Sequence, residues 1–259
     1  MRKLFFLLGL FYLLNSCSKK DNLEVVSISD DFSEPIINID EDKIIVGKSN
    51  CENGLAGIYP CNGYDLLSRI PIEYFGSFEG NDSWGWTDSL DGKEYALMGL
   101  DDGTAFVDIS DPESPKYLGK LPSSTVNSSW RDIKVYKDYA FIVSEAAGHG
   151  LQVFDLRKLR SNNSQQVYES DFNLNSFGNA HNIAINEESG FAYVLGSKLF
   201  DGGPAFIDIN SPLNPNIVGG YSFSSYTHDA QIVKYNGPDT RFKEKEILFG
   251  SNSIGGENN

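Results

Sequence analysis

Gly103-Thr-Ala-Phe-Val-Asp-Ile-Ser-Asp-Pro-Glu-Ser-Pro-Lys-Tyr-Leu-Gly119 and Gly203-Pro-Ala-Phe-Ile-Asp-Ile-Asn-Ser-Pro-Leu-Asn-Pro-Asn-Ile-Val-Gly219 are two versions of one segment, 100 residues apart. They agree at the opening Gly, at Ala, Phe, Asp and Ile, at both prolines and at the closing Gly. Midway lies Gly150-Leu-Gln-Val-Phe-Asp-Leu156, the same strand with a different exit. Copies at steps of 47 and 53 residues mark an internal repeat, and a fixed period of this size belongs to stacked supersecondary units.

Each copy has the same upstream partners. Tyr95-Ala-Leu-Met-Gly99, Tyr139-Ala-Phe-Ile-Val-Ser144 and Phe191-Ala-Tyr-Val-Leu195 precede the three copies. Before these lie Trp84-Gly-Trp-Thr87, Asp132-Ile-Lys-Val-Tyr136 and Asn182-Ile-Ala-Ile-Asn186. Short turn-forming links such as Lys137-Asp138 favour hairpins. A fourth, edge strand is expected at Lys116-Tyr-Leu-Gly119, Gln166-Val-Tyr168 and Asn216-Ile-Val-Gly219. The prediction is an all-β fold, a β-propeller of roughly 50-residue four-stranded blades. By count there are three full blades, a leading strand near residues 70–75, and half a blade from His228 onward. The half blade is expected to reflect a C-terminally truncated chain. Asp108, Asp155 and Asp208 end the third strands, where they are read as turn caps rather than as metal ligands.

The N-terminus reads as a targeting segment. Arg2 and Lys3 precede the apolar run Leu4 to Leu14, which is too short to span a bilayer. Leu14-Asn15-Ser16-Cys17 then resembles the lipobox of bacterial lipoproteins. That resemblance implies a signal peptide over residues 1–16 and lipid on Cys17, a membrane partner for this end of the chain. Residues 17–49 form an acidic tether with eight carboxylates between Asp21 and Asp42, and the propeller domain occupies 50–259. In an exported chain, the remaining Cys51 and Cys61 are expected to form a disulfide, with half of a metal site as the alternative. The net charge of −15 repels nucleic acid, which is excluded as a partner.

The Val-Asp-Ile-Ser-Asp-Pro and Ile-Asp-Ile-Asn-Ser-Pro runs resemble LVIVD repeats. With Gly57-Ile-Tyr-Pro-Cys61, Trp84-Gly-Trp-Thr-Asp88, Ser129-Trp-Arg-Asp132, Ser144-Glu-Ala-Ala-Gly-His-Gly150, Gly178-Asn-Ala-His-Asn182 and Tyr226-Thr-His-Asp-Ala230, the chain is similar to the choice-of-anchor B proteins. These are exported bacterial propellers with varied surface anchors. The resemblance covers roughly residues 50–250. It implies fold and location, at the outer membrane or cell surface, and no particular activity.

Alignment of the units brings Arg131-Asp132, His181-Asn182 and His228-Asp229 into register, with Trp86 or Thr87 as the first unit's counterpart. These positions begin the innermost strands, so they are expected around one mouth of the central channel. Glu145 and His149, in the loop after a second strand, are expected near the same mouth. The candidate ligand-binding set is therefore Trp86, Arg131, Asp132, Glu145, His149, His181, Asn182, His228 and Asp229. Such a set can bind a ligand, or it can simply join neighbouring blades. Histidines beside carboxylates also suit a divalent ion, Ca²⁺ or Zn²⁺, or acid–base work. No nucleophile elbow, phosphate loop, CxxC or HExxH is present. The expected function is a binding or interaction module for an extracellular protein or glycan. The alternative is a metal-dependent hydrolase or lyase at the channel mouth.

Overall fold

A computed structural model describes residues 47–162, 164–222 and 226–253. The expected signal peptide, Cys17 and most of the tether lie outside the described residues. Among the described residues the chain is all-β, with no α-helix. None of its helical turns is long and apolar enough to cross a membrane.

A small sheet comes first, built from β1 (Cys51–Glu52), β2 (Leu55–Ala56) and β3 (Tyr59–Pro60). The expected disulfide is present, and Cys51–Cys61 closes this unit. The first large sheet contains β4 (Gly80–Thr87), β5 (Glu94–Leu100), β6 (Gly103–Asp108) and β7 (Lys116–Pro122). The second contains β8 (Arg131–Tyr136), β9 (Tyr139–Ser144) and β10 (Leu151–Asp155). Beyond them, β11 (Gln166–Val167) joins β7 of the first sheet and β12 (Phe172–Leu174) joins β10. The third sheet is β13 (Asn182–Asn186), β14 (Phe191–Leu195), β15 (Ala205–Asp208) and β16 (Asn216–Gly220). The hairpin β17 (Tyr226–Lys234) and β18 (Glu246–Ser253) follows. Pairing is antiparallel throughout except for β11 on β7, and none of the sheets closes on itself.

The sheets stack face to face, because successive side chains along a strand point to opposite faces. On β9, Ala140 and Ile142 join Leu97 and Phe106 of the first sheet. Phe141 and Val143 of the same strand join Ile183 and Val194 of the third. The other face of the third sheet, with Tyr193 and Leu195, meets Ile232 of the last hairpin. Burial on both faces explains why β9 lacks a polar alternation: all but Tyr139 are buried. The first strands lie side by side in chain order, β4 against β8, β8 against β13 and β13 against β17.

The repeat extends to fine structure. A β-bulge falls between Phe106 and Val107 and again between Phe206 and Ile207, opposite the Leu118 and Val218 pair that the sequence repeat aligns. Leu118 is buried, whereas Val218 is 53% exposed, since the neighbouring hairpin offers two strands where the second sheet offers four. The third-strand aspartates cap turns as expected: Asp108, Asp155 and Asp208 each accept from the backbone N–H two residues on. The Asp101-Asp102-Gly103 segment joins β5 to β6.

Two strand expectations are corrected. Residues 72–75 form one 3-10 turn, entered from Pro71 and ended by Gly76 at φ 67. Pro71 cannot donate to a ladder. Phe75 from this turn covers Leu100, Ala105 and Val107 on the free face of the first sheet. The fourth strand of the second sheet is β12, not Gln166–Tyr168. The latter crosses to β7 because Gly119, at φ 130, has no side chain; a Cβ there would meet the Gln166 carbonyl at 2.0 Å.

Phe106 and Phe154 stack at 4.7 Å between the first two sheets, with the Tyr168 ring edge-on to both. Phe154→Ala should cost about 3–5 kcal/mol in urea unfolding, as a large buried ring lost from a packed core does. Val167→Ala, at an 80% exposed position, should stay within about 0.5 kcal/mol. Equal effects would contradict face-to-face burial.

Candidate functional site

The starts of the first strands are tied together by side chains. Asp82 Oδ2 accepts the Ile133 N–H at 3.1 Å, and Asp132 Oδ2 accepts the Ile183 N–H at 2.7 Å. Asn81 Oδ1 accepts the Arg131 N–H at 3.0 Å. Each bond joins one sheet to the next through a backbone N–H on the free edge of a first strand. Asn81-Asp82 is therefore the first sheet's counterpart of Arg131-Asp132 and His181-Asn182. Trp86 is not: it pairs with Tyr95 towards the far end of β4, stacks on that ring at 5.0 Å, and is buried in the core.

An open pocket of about 270 Å³ forms at these strand starts, lined by Asn81, Asp82, Trp130, Asp132, His181 and Asn182. Lys134 Nζ lies 2.7 Å from Asp132 Oδ1 and 3.6 Å from Asp82 Oδ2, and 4.5 Å from the Trp84 ring centre. Burial, then the adjacent Asp82, pushes the Asp132 carboxyl up to about 7. Burial also opposes ionisation of Asp82. The hydrogen bond with Asp132 and the Lys134 charge outweigh it and hold Asp82 below the usual carboxylate range. The pair thus shares one proton below neutrality, as two carboxyls in one site do.

Beside the pocket runs a second chain of contacts. Glu145 Oε1 is 2.6 Å from His181 Nδ1, and His181 Nε2 is 2.9 Å from His228 Nε2. When the His181 ring carries its proton on Nδ1 and donates it to Glu145, Nε2 is left to accept from His228. Tyr226 flanks His181 at 6.0 Å between ring centres. Burial, with the Glu145 charge and hydrogen bond, pushes its hydroxyl up to about 12.

The other expected site residues lie elsewhere. Arg131 and His149 are fully buried. Arg131 Nε donates to the Leu100 carbonyl at 3.0 Å, and Nη1 donates to His149 Nε2 at 2.9 Å. His149 Nδ1 lies 3.0 Å from the Gly150 carbonyl. Burial, then the Arg131 charge, lowers His149 to about 4, which keeps its ring neutral. These two residues pin the 145–150 loop to the first sheet and do not line the pocket. Asp229 is exposed and accepts from its neighbour Ala230 N–H. Among the described residues no group of three or more His, Cys, Asp or Glu is placed to hold a metal ion. Sequence reading missed Asn81, Asp82 and Trp130. The signal available for the first two was the 50-residue step from Asp82 to Asp132 to Asn182.

These elements define a repeat protein of stacked antiparallel sheets with a polar pocket at one end of their first strands. Comparison with protein-family models, curated proteins and solved structures yields no match to this chain.

The raised Asp132 sets a pH dependence. Below about pH 4 the carboxyl is protonated both folded and unfolded. From there to about 7 the unfolded chain releases the proton first, so this group lowers stability as pH rises. Asp132→Asn stays neutral, so its stability relative to the parent should grow between pH 4 and 7 and level off above. Urea unfolding at several pH values checks this; parallel curves for the two proteins would contradict it.

Proposed function

We infer that the chain is a surface-tethered β-propeller of the LVIVD, choice-of-anchor B kind that works as a binding module. The pocket at the strand starts carries this reading. A cavity there, lined by one half-exposed aromatic side chain and several polar groups, has the make-up of a recognition site. The propeller reading is supported by the 50-residue period, the face-to-face stacking and the side-by-side first strands. The tether reading is supported by the lipobox-like Leu14 to Cys17 and the apolar run before it. Together they support a module at the outer membrane or cell surface, with its ligand arriving from outside.

The alternative, a metal-dependent hydrolase or lyase, draws on the Glu145, His181 and His228 chain. Glu145 occupies the Nδ1 side of His181, which leaves the two facing imidazole nitrogens to meet a metal, with no third ligand placed beside them among the described residues. Binding without turnover is therefore the reading the geometry favours.

The test uses the tag-free full chain in a thermal-shift panel of saccharides, amines, short peptides and dicarboxylates. At least one class should raise the melting temperature, and Trp130→Ala should remove that rise while the unliganded melting temperature stays within a few degrees. A folded protein that no class stabilises would overturn the binding reading. For the tether, Cys17→Ser should move the protein from the membrane fraction to the soluble fraction and abolish fatty-acid labelling. A parent protein already soluble and unlabelled would overturn it.

A further inference from the structure

We propose that the pocket at the strand starts binds a neutral saccharide, one sugar ring stacked on the Trp130 indole with its hydroxyls bonded to the Asn81 and Asn182 amides. This rests on the binding-module reading and assigns its ligand class.

The first observation is the platform. Trp130 is 51% exposed, yet its backbone is fixed on several sides. Its carbonyl accepts from Ser144 Oγ at 2.7 Å and from Glu145 N–H at 3.2 Å, and its N–H donates to Ser128 Oγ at 3.2 Å. The His181 ring abuts it at 5.8 Å. A large apolar face held open beside a polar cavity suits a ligand with one apolar face and a hydroxylated rim. Trp84 cannot serve in the same way, because the Lys134 ammonium already sits over its ring.

Unused hydrogen-bonding capacity is the second observation. Asn81 uses its carbonyl oxygen on Arg131 N–H, and its amide NH₂ meets no partner among the described residues. The Asn182 amide lines the pocket and likewise bonds no described residue. An amide offers both donor and acceptor, as a hydroxyl does, so these groups pair with a sugar rim in either sense.

The third observation is charge balance. Lys134 is bonded to the Asp132 carboxyl and close to Asp82, so the one cation at the pocket among the described residues is spent on its carboxyls. Below neutral pH, where those carboxyls share one proton, the Asp82, Asp132 and Lys134 cluster carries no net charge although the chain carries −15. A site for an amine or a metal would keep its carboxylates unspent, and a site for an anion would keep its cation unspent. About 270 Å³ is the space of roughly nine waters. That fits one ring, with the open side free for a longer chain.

The experiment is calorimetric titration of the tag-free full chain with neutral hexoses and N-acetylhexosamines, and in parallel with glucuronate, spermidine and a short peptide. At least one neutral sugar should bind. Trp130→Ala and Asn182→Ala should each weaken it by about tenfold or more, the loss of one stacked or doubly bonded contact. Affinity should be unchanged between low and high salt, as a neutral ligand requires. Neither side chain is buried, so unaltered melting temperatures of the unliganded variants will show that they fold. Absence of binding by every neutral sugar overturns the proposal, as does sugar binding that both variants retain. If only a charged probe binds and Trp130→Ala removes it, the saccharide assignment falls and the binding module stands. If nothing binds, both fall.

Discussion

Every large sheet in this chain except the terminal hairpin is apolar on both faces, so none can stand alone in water. Phe141 faces one neighbour and Ile142 the other, on adjacent positions of one strand. Burial of a large apolar side chain contributes about 1.5–3 kcal/mol, and it is realised here only when sheets lie on either side. This constraint forces the stack, and the stack brings the first strands together. Even the free face of the first sheet is covered, by Phe75 from the turn before it.

Apolar faces alone do not set the relative height of two sheets, since such packing is non-directional. Directed bonds supply it. Asp82 reaches the Ile133 N–H and Asp132 reaches the Ile183 N–H, with the same spacing of 51 residues. The buried Arg131, bonded to Leu100 and His149, pins the next loop in the same region. A cation with no carboxylate bonded to it in a chain of net charge −15 is unusual, and burial lowers it to about 10. It stays charged at neutral pH, and its removal would take one donor each from the Leu100 carbonyl and the His149 ring.

The repeat was legible because it is written in residues that backbone geometry requires. The third-strand aspartates cap turns, Gly119 permits the close approach of β11, and the aromatic core positions recur in step. The first unit's register was not legible. Trp84-Gly-Trp-Thr87 looks like the start of a strand, whereas β4 begins at Gly80 and carries a shift between Gly80 and Ser83 that moves the alignment. Trp86 consequently reads as a mouth residue in the sequence and is a core one in the fold. The exchange of β11 for β12 was hidden for a similar reason. Gln166-Val167 has strand composition, but which sheet it joins depends on the conformation of Gly119, forty-seven residues earlier. The pairing of Cys51 with Cys61 was legible without a fold, since the expectation of an exported chain left these two cysteines as the remaining pair.

Most polar groups at the strand starts are consumed by the fold itself. Asp82, Asp132 and the Asn81 carbonyl bond the next sheet, Lys134 bonds the carboxyls, and Glu145 with His181 and His228 links the second sheet to the third and to the hairpin. Residues in register across repeats are therefore first of all the joints between sheets, and recurrence alone says nothing about a ligand. What distinguishes this end of the molecule is the remainder. Trp130 is held by its backbone yet open at its ring, and beside it the Asn81 NH₂ and the Asn182 amide have no partner among the described residues. A joint needs no exposed indole, and a structural amide would be bonded. Those three side chains are where the demands of folding stop and a demand made from outside the molecule begins.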